Sequence, residues 1–131
     1  MARRPQLEDG YTRIANEILE QVAHLRLNGT QFRLLLIVWR YTYGYGRKEA
    51  ELSLSFLASA IGASRSQVDR ELTDLIRRSV IEVVPGYGRR RLLRFNKDFS
   101  AWIDPGREKR TPGHDRHESI GDWLGGDPYE L

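Results

Sequence analysis

The chain has no cysteine. A disulfide framework, a Cys-ligated zinc finger and a thiol nucleophile are therefore excluded. It also lacks a long apolar run. The longest, Leu34 to Trp39, is far short of the roughly 20 residues a membrane helix needs. No apolar stretch follows the basic start Met1-Ala2-Arg3-Arg4, so a secretory signal is not expected. There is no internal repeat, and no glycine-rich loop ending in Gly-Lys-Ser/Thr that would cradle a nucleotide. A cytosolic protein with no cofactor and no membrane partner is the expectation.

What is present suits a globular chain. With 131 residues, 30% charged and 40% hydrophobic, there is room for one small domain and an appendage. The net charge of +3 conceals an asymmetry. Residues 1–97 carry 17 Lys and Arg against 10 Asp and Glu, whereas residues 98–131 carry 4 against 8. A basic body with an acidic tail points to a polyanion as partner of the body.

Ile14, Ile18, Val22 and Leu25 recur at helical spacing and predict a helix over 11–27, capped by Asp9 or Thr12. Asn28-Gly29 reads as its stop, with Thr30 capping a second helix over about 31–43. That second helix is apolar on all sides from Leu34 to Trp39, which predicts that part of it faces a second subunit. The aromatics of Tyr41-Thr42-Tyr43-Gly44-Tyr45 are expected to pack against this helix pair rather than to stack on bases.

Glu51-Leu52-Ser53-Leu54 alternates and reads as a short strand. Ser53 then caps a short helix over 54–61, Gly62-Ala63 makes a tight turn, and Ser64 caps a helix from Arg65 to about Arg78. Two short helices joined through a glycine turn form a helix-turn-helix. Strands are expected over 80–84 and 89–95, separated by the turn Pro85-Gly86-Tyr87-Gly88. The fold class expected is mainly α with a small β-hairpin, a winged helix-turn-helix. It divides into an N-terminal arm (1–10), the winged-helix domain (11–97) and a flexible acidic tail (98–131).

On the Arg65–Arg78 helix, Val68, Leu72, Leu75 and Ile76 share one apolar face. The opposite face gathers Ser66, Gln67, Arg70, Thr73, Asp74 and Arg77. A side rich in donors and acceptors and free of aliphatics is what reading a DNA major groove requires. Ser66, Gln67 and Arg70, near the helix start, are expected at base edges. Gln67 suits adenine and Arg70 guanine, while Arg65 and Arg77 suit phosphates. At the hairpin tip, Tyr87 and the run Arg89, Arg90, Arg91 can reach the minor groove or the backbone.

The stretch Asp9-Gly10-Tyr11-Thr12-Arg13-Ile14-Ala15-Asn16-Glu17-Ile18-Leu19 resembles the opening of the amino-terminal domain of the phage replication protein O family. Arg40-Tyr41-Thr42-Tyr43-Gly44, Leu52-Ser53-Leu54-Ser55-Phe56-Leu57-Ala58 and Gly62-Ala63-Ser64-Arg65 follow in the family's order and spacing. The resemblance spans residues 7 to 84 and implies a winged helix that binds repeated sites in a phage replication origin. It also implies that Ser66, Gln67 and Val68 open the recognition helix, and that a helicase or helicase loader is recruited in the host cytoplasm. Family members usually continue into a sizeable partner-recruiting region. Here 34 residues follow the expected wing, and Ile120, Trp123, Leu124 and Tyr129 are the candidate docking residues among acids.

Catalysis is not expected. His114-Asp115-Arg116-His117-Glu118 has metal-capable side chains but no predicted helix to fix their geometry. Two other readings share the fold: a transcriptional regulator, and a module that binds replisome proteins. A homodimer, binding repeats as a dimer or cooperatively, is the further partner expected.

Overall fold

The computed structural model describes residues 3–85 and 91–104. Over these residues the chain forms helices α1 (Asn16–His24), α2 (Gly29–Tyr41), α3 (Leu54–Ile61) and α4 (Arg65–Arg77). Strands β1 (Glu49–Ala50), β2 (Ile81–Pro85) and β3 (Arg91–Phe95) complete it. The strands make one antiparallel sheet in the order β1-β3-β2, with Ala50 opposite Leu93 and Val83 opposite Leu93 on the other side. The architecture is mainly α and winged-helix-like, as expected, with a third strand beside the hairpin.

The helix starts are set by short polar side chains. Asn28 Oδ1 accepts from the Gln31 N–H at 2.8 Å, and Gln31 Oε1 accepts from the Asn28 N–H at 3.3 Å. This reciprocal capping box begins α2. Asn28 therefore opens α2 and does not close α1, contrary to the expectation that Thr30 is the cap. Ser53 and Ser64 cap α3 and α4 by accepting the N–H of Phe56 and Gln67. Gly62 ends α3 at φ +70°, where a Cβ would be strained, and so turns the chain into α4.

The first helix and the first strand also differ from the sequence expectation. Helix α1 starts only at Asn16, behind Ala15, which offers no side-chain cap; residues 11–15 are not helical. The first strand is Glu49–Ala50 and not 51–54, because pairing with β3 fixes its position and Leu54 already belongs to α3.

The core lies between α2, α3, α4 and the sheet. Leu34, Leu35, Val38, Leu57, Val68, Leu75, Val80 and Leu93 have no exposed surface. Trp39, Phe95 and Trp102 meet edge to face, with centroid separations of 5.5 and 5.6 Å. Helix α2 is not enclosed all round, since Phe32 and Leu36 remain 43% and 46% exposed. The chain also keeps packing past Lys97. A 3-10 turn at Phe99–Ala101 brings Trp102 onto Phe95, and the Trp102 indole donates to the Asn96 carbonyl at 2.8 Å. The folded unit thus reaches Asp104, beyond the expected boundary at 97.

Candidate nucleic-acid interface

Helix α4 owes its placement to both faces. Val68, Leu72 and Leu75 are buried, as the apolar spacing predicts, and Ile76 is half-buried. One flank is fastened to the start of α2 by three side-chain hydrogen bonds a helical turn apart. Gln67 Nε2 donates to Thr30 Oγ1 at 2.9 Å, Asn28 Nδ2 to Glu71 Oε1 at 3.1 Å, and Gln31 Nε2 to Asp74 Oδ2 at 2.7 Å. These bonds take Gln67 and Asp74 away from the outward face on which the helical plot sets them. A plot of one helix cannot know which flank its neighbour covers.

Arg65, Ser66, Asp69, Arg70, Thr73 and Arg77 remain exposed on α4, and Ser64 is exposed at its start. The exposed set carries three arginines against one aspartate. Arg70 lies 3.7 Å from Glu71 while staying 71% exposed, so its guanidinium is open to a ligand. Arg77 is hydrogen-bonded to Asp74 and is also largely exposed. Asp69 is a further outward residue, absent from the expected reading face. Its position one turn before Thr73 was the available signal.

Behind this face lies a buried cation that sequence also hid. Arg78 is 4% exposed. Its guanidinium donates to the carbonyls of Ile103 and Arg26 at 2.8 Å each, and to Asp104 Oδ1 at 3.3 Å. It also lies 3.8 Å from Asp74 Oδ2. Burial disfavours the charged form of Asp74, but the Gln31 hydrogen bond and the Arg77 and Arg78 charges outweigh it. The carboxyl is held below its ordinary value. Helix α4 ends in a Schellman turn: the Val80 N–H donates to the Leu75 carbonyl and the Ser79 N–H to that of Ile76. Ser79 occupies its left-handed position at φ 62°.

Of the expected wing residues, Arg91 is exposed at the start of β3, paired with Pro85. Tyr87, Arg89 and Arg90 lie outside the described residues, as do Ile120, Trp123, Leu124 and Tyr129. Arg94 is spanned by Glu82 at 3.2 Å and Glu49 at 3.9 Å, its cross-strand neighbours on either side. The aromatic turn after α2 divides. Tyr43 packs against Phe95, and burial pushes its hydroxyl up to about 12, whereas Tyr45 stays exposed. Among the described residues no cluster of His, Asp and Glu is placed to hold a metal, and no helix is long and apolar enough to cross a membrane.

Comparison with known proteins adds the lineage. The family model for bacteriophage replication protein O matches residues 3–102, which takes in the Trp102 segment. The chain is similar to DNA replication protein gp18 of Salmonella phage P22, 35% identical over 100 residues, covering 76% of this chain and 35% of that protein. It is similar to replication protein 15 of Enterobacteria phage phi80, 33% identical over 101 residues, covering 77% and 33%. It is also similar to replication protein O of Escherichia phage lambda, 28% identical over 106 residues, covering 81% and 30%. The matches span about a third of the length of these relatives. With three quarters of its length inside the family model, the chain belongs to the bacteriophage replication protein O family.

Proposed function

We propose that the chain is a sequence-specific double-stranded DNA-binding module that engages repeated sites in a phage replication origin. The observation that carries this reading is the exposed face of α4. It presents Ser66, Asp69, Arg70, Thr73 and Arg77 on the second helix of a helix-turn-helix. Family membership supports the replication context. In this reading Ser66, Arg70 and Thr73 meet base edges. Arg70 serves guanine O6 and N7, and Asp69 accepts from cytosine N4. Arg65 and Arg77 meet phosphates, and the wing with Tyr87, Arg89, Arg90 and Arg91 follows the backbone or minor groove. Gln67 and Asp74 hold α4 at its angle and read nothing.

Two further parts complete the proposal. Phe32 and Leu36, exposed one turn apart on α2, supply contact between two copies on adjacent repeats. The acid-rich residues after 104, with Ile120, Trp123, Leu124 and Tyr129, dock a helicase or helicase loader.

Selection of bound sites from a random duplex library, with the full chain at physiological salt, tests the reading. A motif repeated several times near phage replication genes is the expected result. A single operator-like palindrome beside a promoter would replace origin binding with transcriptional control. No enrichment would remove sequence-specific binding altogether.

A further inference from the structure

The turn after α2 builds a second surface of a different kind. The Arg40 guanidinium carbon lies 5.2 Å from the Tyr41 ring centre and 5.1 Å from that of Tyr45. The Arg47 guanidinium carbon lies 5.3 Å from the Tyr45 ring. The two tyrosine rings stack at 5.9 Å and 26°, and Phe56 of α3 braces Tyr41 edge-on at 4.9 Å. Arg47 is pinned as well, its Nε donating to the Tyr41 carbonyl at 3.1 Å. The result is an ordered set of alternating rings and guanidinium groups.

This set is open to solvent and carries unspent charge. Tyr45 is 58% exposed with both arginines against it, and Arg40, Arg47 and Lys48 are exposed. Among the described residues neither Arg40 nor Arg47 forms an ion pair. The N-terminal segment widens the surface. Thr12 passes so close to Gly44 that a Cβ there would lie 3.0 Å from its Oγ1. Its neighbours Tyr11 and Arg13, both exposed, form another ring–guanidinium pair at 5.9 Å.

The surface lies at the opposite end of α2 from its attachment to α4. Helix α4 is fastened to the start of α2, at Asn28, Thr30 and Gln31. Arg40 lies at the other end of α2, about 14 Å along the axis at about 1.5 Å per residue. A duplex backbone would use the cations but not the rings, because paired bases keep their faces inside the helix. A single strand offers both phosphates and free base faces, and stacking on rings and guanidinium planes is how such strands are held without sequence preference.

We propose that Tyr45, Arg40 and Arg47, extended by Tyr11 and Arg13, form a binding site for single-stranded DNA, separate from the duplex-reading face of α4. The site needs no particular sequence.

The test is fluorescence anisotropy with the full chain, using a labelled oligothymidine of about 16 nucleotides and, in parallel, a labelled duplex. The wild type is expected to bind the oligothymidine. Tyr45→Ala should weaken that binding roughly ten-fold, while Tyr45→Trp, which keeps a ring, retains it. Both variants should hold the duplex as the wild type does. Arg47→Ala should act like Tyr45→Ala, and Arg70→Ala should leave oligothymidine binding unchanged. Circular dichroism confirms that each variant is folded. Absence of oligothymidine binding by the wild type would overturn the proposal. So would Tyr45→Ala with unaltered binding, equal weakening on strand and duplex, or a Tyr45→Trp variant as weak as Tyr45→Ala. The duplex arm is read separately, so failure of the α4 reading leaves this result standing or falling by itself.

Discussion

The backbone N–H of Ile103 donates to the carbonyl of Arg78 at 2.9 Å, and the Arg78 Nε donates back to the carbonyl of Ile103 at 2.8 Å. This exchange ties the end of α4 to a segment 25 residues later. Trp102, the residue before Ile103, packs on Phe95. The segment 98–104 is thus part of the folded unit, and two truncations should behave differently. Removing residues 105–131 keeps this segment and sets the reference urea midpoint. Removing 98–131 should cost roughly 2–4 kcal/mol, through lost aromatic packing and opened Arg78 donors. Equal midpoints for the two truncations would mean that the reciprocal bonds contribute nothing.

Arg78 itself is a sharper probe. Its planar fork serves the carbonyls of Ile103 and Arg26 and the carboxylate of Asp104 together. A lysine keeps the charge but presents one ammonium on a flexible stem, and cannot span these acceptors. Arg78→Lys should therefore destabilise the chain by about 2 kcal/mol, with an unchanged urea slope. A midpoint equal to the wild type would show that charge alone suffices there.

Asp74 gives the stability a pH dependence of known sign. Burial opposes its ionisation, but the bond from Gln31 and the charges of Arg77 and Arg78 prevail, so its folded-state value lies below the ordinary 3.8. The unfolded chain then binds this proton more readily than the folded one. The contribution is complete well above 3.8 and drains away as pH falls through the lowered value. The stability gap between wild type and Asp74→Asn should be constant near neutrality and shrink below about pH 4. Urea titrations at a series of pH values measure it. A gap that widened in acid would reverse the assigned direction.

The Schellman turn offers a stabilising change. Ser79 holds φ 62°, a region that costs an L-residue about 1 kcal/mol. Its carbonyl, not its side chain, receives the Asn96 amide at 2.9 Å. Ser79→Gly keeps both backbone bonds and removes the Cβ strain, offset in part by a more flexible unfolded chain. A net gain of about 0.5 kcal/mol is expected in thermal unfolding. A loss would mean that the Ser79 side chain contributes more than its backbone position costs.

What was legible in the sequence was local. Ser53, Gly62 and Ser64 sit where α3 and α4 start and stop, and Val68, Leu72 and Leu75 fix which side of α4 is buried. What escaped depended on distant partners. Asn28 was ambiguous because asparagine both ends and begins helices, although Gln31 three residues on was the mark of a capping box. Ala50 becomes a strand residue only because Leu93 lies opposite. Arg78 beside Arg77 looks like a second surface charge, and it is buried only when residues 98–104 fold back. On α4, the hidden information was which flank α2 covers.

That last point separates two α4 residues that the sequence treats alike. Arg70 is exposed, whereas the Gln67 amide is engaged by Thr30 across the α2 interface. Arg70→Ala should cost roughly 1–3 kcal/mol on the selected duplex site and relax preference at one base pair. Gln67→Ala should instead lower folding stability by about 1 kcal/mol and leave the ranking of DNA sequences unchanged, because it loosens the helix without deleting a base contact. Competition binding against single-position variants of the site, paired with urea unfolding, distinguishes the two. If Gln67→Ala alters preference at one base pair, the amide must leave Thr30 when DNA binds, and α4 would then read DNA through a wider face than the free chain presents.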